Sequence, residues 1–101
     1  MNTNEHLLTC LAEECAEVAQ RVSKALRFGL DEVQADQPLT NADRIVEELH
    51  DLFAVAAILG RRGVLRNPTL VSPATVERKQ HKIEKYFAIS REQGTLSEPQ
   101  S

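Results

Sequence analysis

The chain has 101 residues and a formal net charge of −3. That length supports one modest core, not two domains, and the charge excludes a general electrostatic pull toward nucleic acid or an anionic membrane. The longest apolar run, Leu52 to Gly60, is far short of the roughly 20 residues a membrane span needs, and Met1 to His6 is polar, so a cytoplasmic location is expected. Cys10 and Cys15 point in different directions on a helix and match no zinc spacing, so they read as small core residues of a reducing compartment.

In chain order, the first helix is predicted from about Asn4 to Phe28, with Gly29 as its stop. Leu8, Leu11, Cys15, Val18, Val22 and Ala25 recur at alternating spacings of three and four, which makes one apolar stripe. Leu30 to Leu39 has a proline, acidic residues and no sustained period, and reads as a loop able to serve as a mobile rim over a site. The second helix starts at Thr40 or Asn41, where Thr40 and Asp43 resemble a capping box, and ends between Gly60 and Gly63. Its stripe is Ala42, Ile45, Leu49, Leu52, Ala56 and Leu59, each 34 residues after its counterpart in the first helix.

A turn region from Arg61 to Val71 leads to Ser72-Pro73. Ser caps the free amides and Pro occupies the first helical position, where its missing N–H is harmless. The third helix runs from Pro73 to about Gln93 and stops at Gly94. Its apolar face, Val76, Ile83 and Phe87, is thin, and its charged face carries Arg78, Lys79, Lys82 and Lys85. Thr95 to Ser101 reads as a disordered tail after a single domain of residues 1–94. No segment alternates with strand period, so the fold class is all-α: an antiparallel bundle of three main helices, completed to a four-helix-type core by oligomerisation.

Chemistry concentrates in two matched acidic elements. Residues three apart on a helix are neighbours, so Glu14 pairs with Glu17 and Glu48 pairs with Asp51. At roughly 100° per residue, Glu14 and Glu48 lie about 65° from the centre of their stripes, and Glu17 and Asp51 about 125°. Both pairs therefore sit on one flank, while the opposite flank is apolar: Ala12, Ala19 and Leu26 in the first helix, Val46 and Phe53 in the second. In an antiparallel pair the acidic flanks converge on one cleft. Two like charges about 4 Å apart repel by roughly 4 kcal/mol at an effective dielectric of 20, so convergence calls for a cation. All-oxygen ligands favour Mg²⁺, with Mn²⁺ able to substitute. The plain alternative is a solvated surface in which Arg21 and Arg44 make i,i+4 ion pairs with Glu17 and Glu48.

The elements Glu13-Glu14-Cys15-Ala16-Glu17 and Glu48-Leu49-His50-Asp51 resemble the Glu-Glu-x-x-Glu and Glu-x-x-Asp pattern of the MazG-like all-α nucleoside triphosphate pyrophosphohydrolases, over about Leu7 to Leu59. The resemblance implies Mg²⁺-dependent cleavage between the α and β phosphates to a nucleoside monophosphate and pyrophosphate. It also implies a homodimer or homotetramer, with a nucleotide as substrate. The implied metal ligands are Glu14, Glu17, Glu48 and Asp51, and Glu17 is the implied general base. Lys24, Lys79 and Lys82 are candidates for the phosphate charge, and Phe28 and Tyr86 for stacking on a base. Two departures stand out: His50 replaces a common glycine, and the gap of 30 residues between Glu17 and Glu48 is long.

Two other classes compete. A non-enzymatic helical dimerisation module would use the stripes for association and the carboxylates for solubility. A di-iron carboxylate protein would use Glu47 and His50, but these lie about 165° and 135° from the stripe centre and face away from the bundle interior.

Overall fold

The computed structural model describes residues 1–97. It contains three helices, α1 (Thr3–Phe28), α2 (Asn41–Arg61) and α3 (Pro73–Glu92), and no strand among the described residues. The all-α class expected from periodicity is therefore observed. The last four residues of the expected disordered tail lie outside the described residues. The chain divides into two compact units, Met1–Thr69 and Leu70–Ser101.

In the first unit α1 and α2 form an antiparallel hairpin. Near one end the Asn41 side chain of α2 bonds the carbonyl of Gly29, just past α1. At the other the Arg62 guanidinium reaches Asn4. Helix α1 begins with a complete capping box: Asn2 accepts from the Glu5 amide at 2.8 Å, and Glu5 accepts from the Asn2 amide. It stops at Gly29, whose φ of 100° is strained for any residue with a Cβ. Helix α2 has half of the expected box. Thr40 accepts from the Asp43 amide at 3.1 Å, but the Asp43 carboxylate makes no return bond among the described residues, being one methylene shorter than Glu.

The packing partly departs from the expected stripes. The α2 stripe is buried or half-buried throughout, with Leu59 fully enclosed. On α1, the line turned inward is Leu7, Leu11, Glu14, Val18, Arg21 and Ala25, whereas Leu8, Ala12, Cys15, Ala19, Val22 and Leu26 are exposed. The inward line is rotated about 50° toward the acidic flank from the predicted stripe. The physical reason is that α1 carries apolar side chains over a wider arc than one partner helix can cover, so α2 takes one edge of it. Cys10 is half-buried and Cys15 exposed, so neither is a core cysteine in the hairpin. Phe53, on the apolar flank of α2, is 50% exposed, and Phe87 is exposed as well.

The Leu30–Leu39 loop is tied to the start of α2. Asn41 and Ala42 amides bond the Glu32 and Leu30 carbonyls at 3.0 Å each, Val33 and Thr40 form a lone antiparallel bridge, and Arg44 donates to Gln34. After α2 the chain folds back so that a Cβ at Gly60 would stand 3.0 Å from Pro68 Cδ.

The second unit is α3 with its caps. Ser72 Oγ accepts from the Thr75 amide at 3.2 Å and Pro73 opens the helix. Gly94 ends it with φ of 76°, and the amides of Thr95 and Leu96 both bond the Ser90 carbonyl.

Candidate metal centre

Glu14 and Glu17 sit one turn apart on α1, and the antiparallel crossing sets Glu48 of α2 opposite them. One carboxylate oxygen from each of the three lies within 4.8 Å of the other two. Glu14 and Glu48 are half-buried and Glu17 is exposed. The small rotation of α1 matters here, because it carries Glu14 inward onto the α2-facing line. Helical geometry does the rest: residues at i and i+3 share a face, so one turn of α1 presents two carboxylates together.

Glu14 Oε2 and Glu48 Oε2 are both buried without a hydrogen-bond partner. Buried carboxylate oxygens without partners are costly, and here two belong to the same cluster. Burial pushes the Glu48 carboxyl above its ordinary pKa. The nearby Glu17 carboxylate and the negative charge of Asp51 add to the rise, against an opposing pull from Arg21. Crowded oxygens and orphaned acceptors are both relieved by a hard cation bound by oxygen. The donor set is carboxylate only, so it fits such an ion.

Asp51 is one turn beyond Glu48 on α2, exposed, and is not among the three whose oxygens close to within 4.8 Å. Its charge still reaches Glu48. Glu47 and His50 are exposed and neither joins the acidic group. Glu13 is exposed too.

The surface ion pairs considered above are not the ones formed. Arg44 spends its Nη1 on Gln34 Oε1 at 3.3 Å. Arg21 faces across the hairpin, its Nε 3.9 Å from Glu48 Oε1, and this is the only ion pair among the described residues. Sequence reasoning placed Arg21 beside Glu17 on the outer surface. The spacing Leu7, Leu11, Glu14, Val18, Arg21, Ala25 is itself a heptad line and carried the signal that Arg21 turns inward.

Of the substrate-binding candidates, Lys24 is half-buried on α1, one turn beyond Arg21, and Phe28 closes the same helix. Arg27 stacks on the Phe28 ring at 5.0 Å from its centroid. Lys79, Lys82 and Tyr86 lie on α3 and are exposed. Lys79 and Lys82 share a shallow pocket with Thr75 and Arg78.

A family model for the MazG nucleotide pyrophosphohydrolase domain matches residues 2–64, a span that contains α1, the tied loop, α2 and all four acidic positions. Such domains hydrolyse phosphoric anhydrides of nucleotides and are typically metal-dependent. No curated protein and no solved structure matches the chain. With well over half of its length matched, the chain belongs to the MazG nucleotide pyrophosphohydrolase domain family.

Proposed function

We propose that the protein is a Mg²⁺-dependent pyrophosphohydrolase that cleaves a nucleoside triphosphate between its α and β phosphates, yielding a nucleoside monophosphate and pyrophosphate. The observation that carries this reading is the three-carboxylate cluster with two buried, unpartnered oxygens. Glu14, Glu17 and Glu48 would hold Mg²⁺, or Mn²⁺ in its place, and Asp51 would complete the set from the rim. When bound, the ion supplies charge neutralisation on the phosphate oxygens and acidifies water at neutral pH.

Glu17 suits the role of general base because it alone of the three is exposed, and a base must meet the attacking water. It takes a proton from that water as the oxygen bonds to the α-phosphorus. The bond from that phosphorus to the bridging oxygen breaks, and pyrophosphate leaves with the electron pair. Glu14, half-buried on the α2-facing line, would help hold the ion. Lys24, half-buried on α1, is proposed for the remaining phosphates.

The homo-oligomer expected from the sequence is part of the same proposal. The exposed line Leu8, Ala12, Cys15, Ala19, Val22 and Leu26 has heptad spacing and no charge, and Val46 and Phe53 extend it from α2 on the face opposite the carboxylates. Two such hairpins packed face to face would make a four-helix core. No helix of the described residues is long and apolar enough to cross a membrane; a cytoplasmic site of action is part of the proposal.

The deciding experiment is a panel of nucleoside di- and triphosphates assayed for pyrophosphate and for phosphate, with and without Mg²⁺. Pyrophosphate release that needs the metal and disappears in Glu14→Gln and Glu48→Gln supports the reading. Phosphate release without pyrophosphate would move the cleavage position, and metal-independent turnover would remove the carboxylates from the mechanism.

A further inference from the structure

We propose that Arg21 is the resident counter-ion of the acidic cluster, and that a divalent cation displaces it from Glu48 and frees it to bind the phosphates of the nucleotide. The inference rests on the pyrophosphohydrolase reading for its second half and on the cluster geometry alone for its first.

Arg21 occupies the α2-facing line of α1, and its side chain is only 22% exposed, against 18% for Glu48. At 3.9 Å the contact is too long for a hydrogen bond. The attraction is therefore Coulombic, with no directional bond to break when another cation arrives. The guanidinium has five N–H donors, and none donates to a protein acceptor among the described residues. An arginine left with its donors free beside a carboxylate cluster is held by charge alone.

The carboxylates outnumber the one guanidinium beside them, so the cluster attracts a divalent cation. That cation must share Glu48 with Arg21, and two cations at one carboxylate repel. The guanidinium then loses its hold on Glu48 while it remains at the edge of the site. A triphosphate brings new negative charge to that edge, and the planar fork of arginine matches phosphate oxygens in pairs. Arg44, the other arginine near Glu48 in sequence, is engaged by Gln34, whereas Arg21 is the arginine that contacts the cluster.

Loss of a positive charge by itself predicts tighter metal binding and weaker phosphate binding. Exchange at Glu48 predicts in addition that the effect on metal requires the Glu48 carboxylate and that the effect on phosphate requires the guanidinium fork. Calorimetric titration of the full chain with Mn²⁺ alone should show Arg21→Gln binding the ion about tenfold more tightly than wild type. Titration with inorganic triphosphate at saturating Mn²⁺, a probe that carries phosphates without a base, should show the same variant binding about tenfold more weakly. Arg21→Lys should restore the competition with metal and recover only part of the triphosphate affinity, because an ammonium lacks the fork.

In a Glu48→Gln background, Arg21→Gln should no longer change Mn²⁺ affinity, which separates the exchange from any loss of folding. Unchanged or weaker Mn²⁺ binding by Arg21→Gln overturns the counter-ion role, and unchanged triphosphate binding overturns the phosphate role. If wild type binds Mn²⁺ but hydrolyses no nucleotide, the pyrophosphohydrolase reading fails while the metal competition is still measured directly.

Discussion

The Asn41 side-chain amide, 3% exposed, donates to the carbonyl of Gly29 at 2.8 Å and so fastens the first residue of α2 to the end of α1. The same amide reaches Glu32 Oε1 at 3.2 Å, so one residue closes the hairpin and anchors its connecting loop. Asn41→Ala leaves the Gly29 carbonyl without this donor, at a cost of about 2 kcal/mol. A thermal melt should fall by roughly 10 °C, and amide exchange should accelerate first in residues 30–40.

Metal binding is expected to stabilise the hairpin through the same carboxylates. An ion at 100 times its dissociation constant adds about 2.7 kcal/mol, so saturating Mg²⁺ should raise the melting temperature of wild type by roughly 10–20 °C. Glu14→Gln and Glu48→Gln should abolish most of that rise, whereas Glu47→Gln, on the outer surface, should keep it. Equal Mg²⁺ shifts in all three variants would remove the cluster as the binding site.

The raised Glu48 pKa sets the pH response of the metal-free protein. The folded state holds the Glu48 proton more tightly than the unfolded chain does. The stability from this group is thus fully present below the ordinary glutamate pKa and is lost as pH rises through the folded value. In EDTA, wild type should lose more stability than Glu48→Gln as pH rises from the ordinary glutamate value toward neutrality. Added Mg²⁺ should reverse the trend, because the ion binds the deprotonated carboxylates. Parallel curves for the two proteins in EDTA would contradict the shift.

Gly60 is a helical glycine held by a close neighbour. Alanine there gains about 1 kcal/mol of helix propensity but sets a Cβ 3.0 Å from Pro68 Cδ and 3.3 Å from its Cγ, an overpacking that costs 1–3 kcal/mol by order of magnitude. Gly60→Ala should be neutral to destabilising alone and stabilising in a Pro68→Ala background. Denaturant titration of the four-member cycle should give a coupling of about 1 kcal/mol or more.

The exposed apolar line offers a test of association. Leu26, 83% exposed in the single chain, and Phe53 should be covered in a homo-oligomer. Leu26→Glu with Phe53→Glu should then lower the mass seen by light scattering to that of one chain, with helical circular dichroism retained. A wild-type protein that is monomeric at every concentration tested would end the oligomer proposal.

Much of the fold was legible because its signals are local. Ser72-Pro73, Gly29 and Thr40 declare helix ends through backbone chemistry that needs no distant partner. The acidic elements were legible for the same reason: Glu14 and Glu17 share a face of any helix they lie on. The site was less legible where it depends on rotation. Cys15 looked like a core residue and Arg21 like a surface one, and both readings turned on where α1 faces α2. A helix with Leu7, Leu11, Val18 and Ala25 on one line and Leu8, Cys15, Val22 and Leu26 on the next has two apolar edges, and periodicity alone cannot say which edge a partner takes.

The sequence by itself determined three helices, their ends, and the pairing of carboxylates along each helix, because those follow from backbone hydrogen bonding and 3.6-residue periodicity. Only the tertiary structure decided that Glu48 meets Glu14 and Glu17, that Asp51 stays at the rim, and that Arg21 faces Glu48 across the hairpin. Those outcomes depend on the rotation and axial offset of two packed helices. Ala25, Ala56 and Leu59 are the apolar residues buried in the hairpin, and no single residue's propensity specifies how two such helices are rotated and offset.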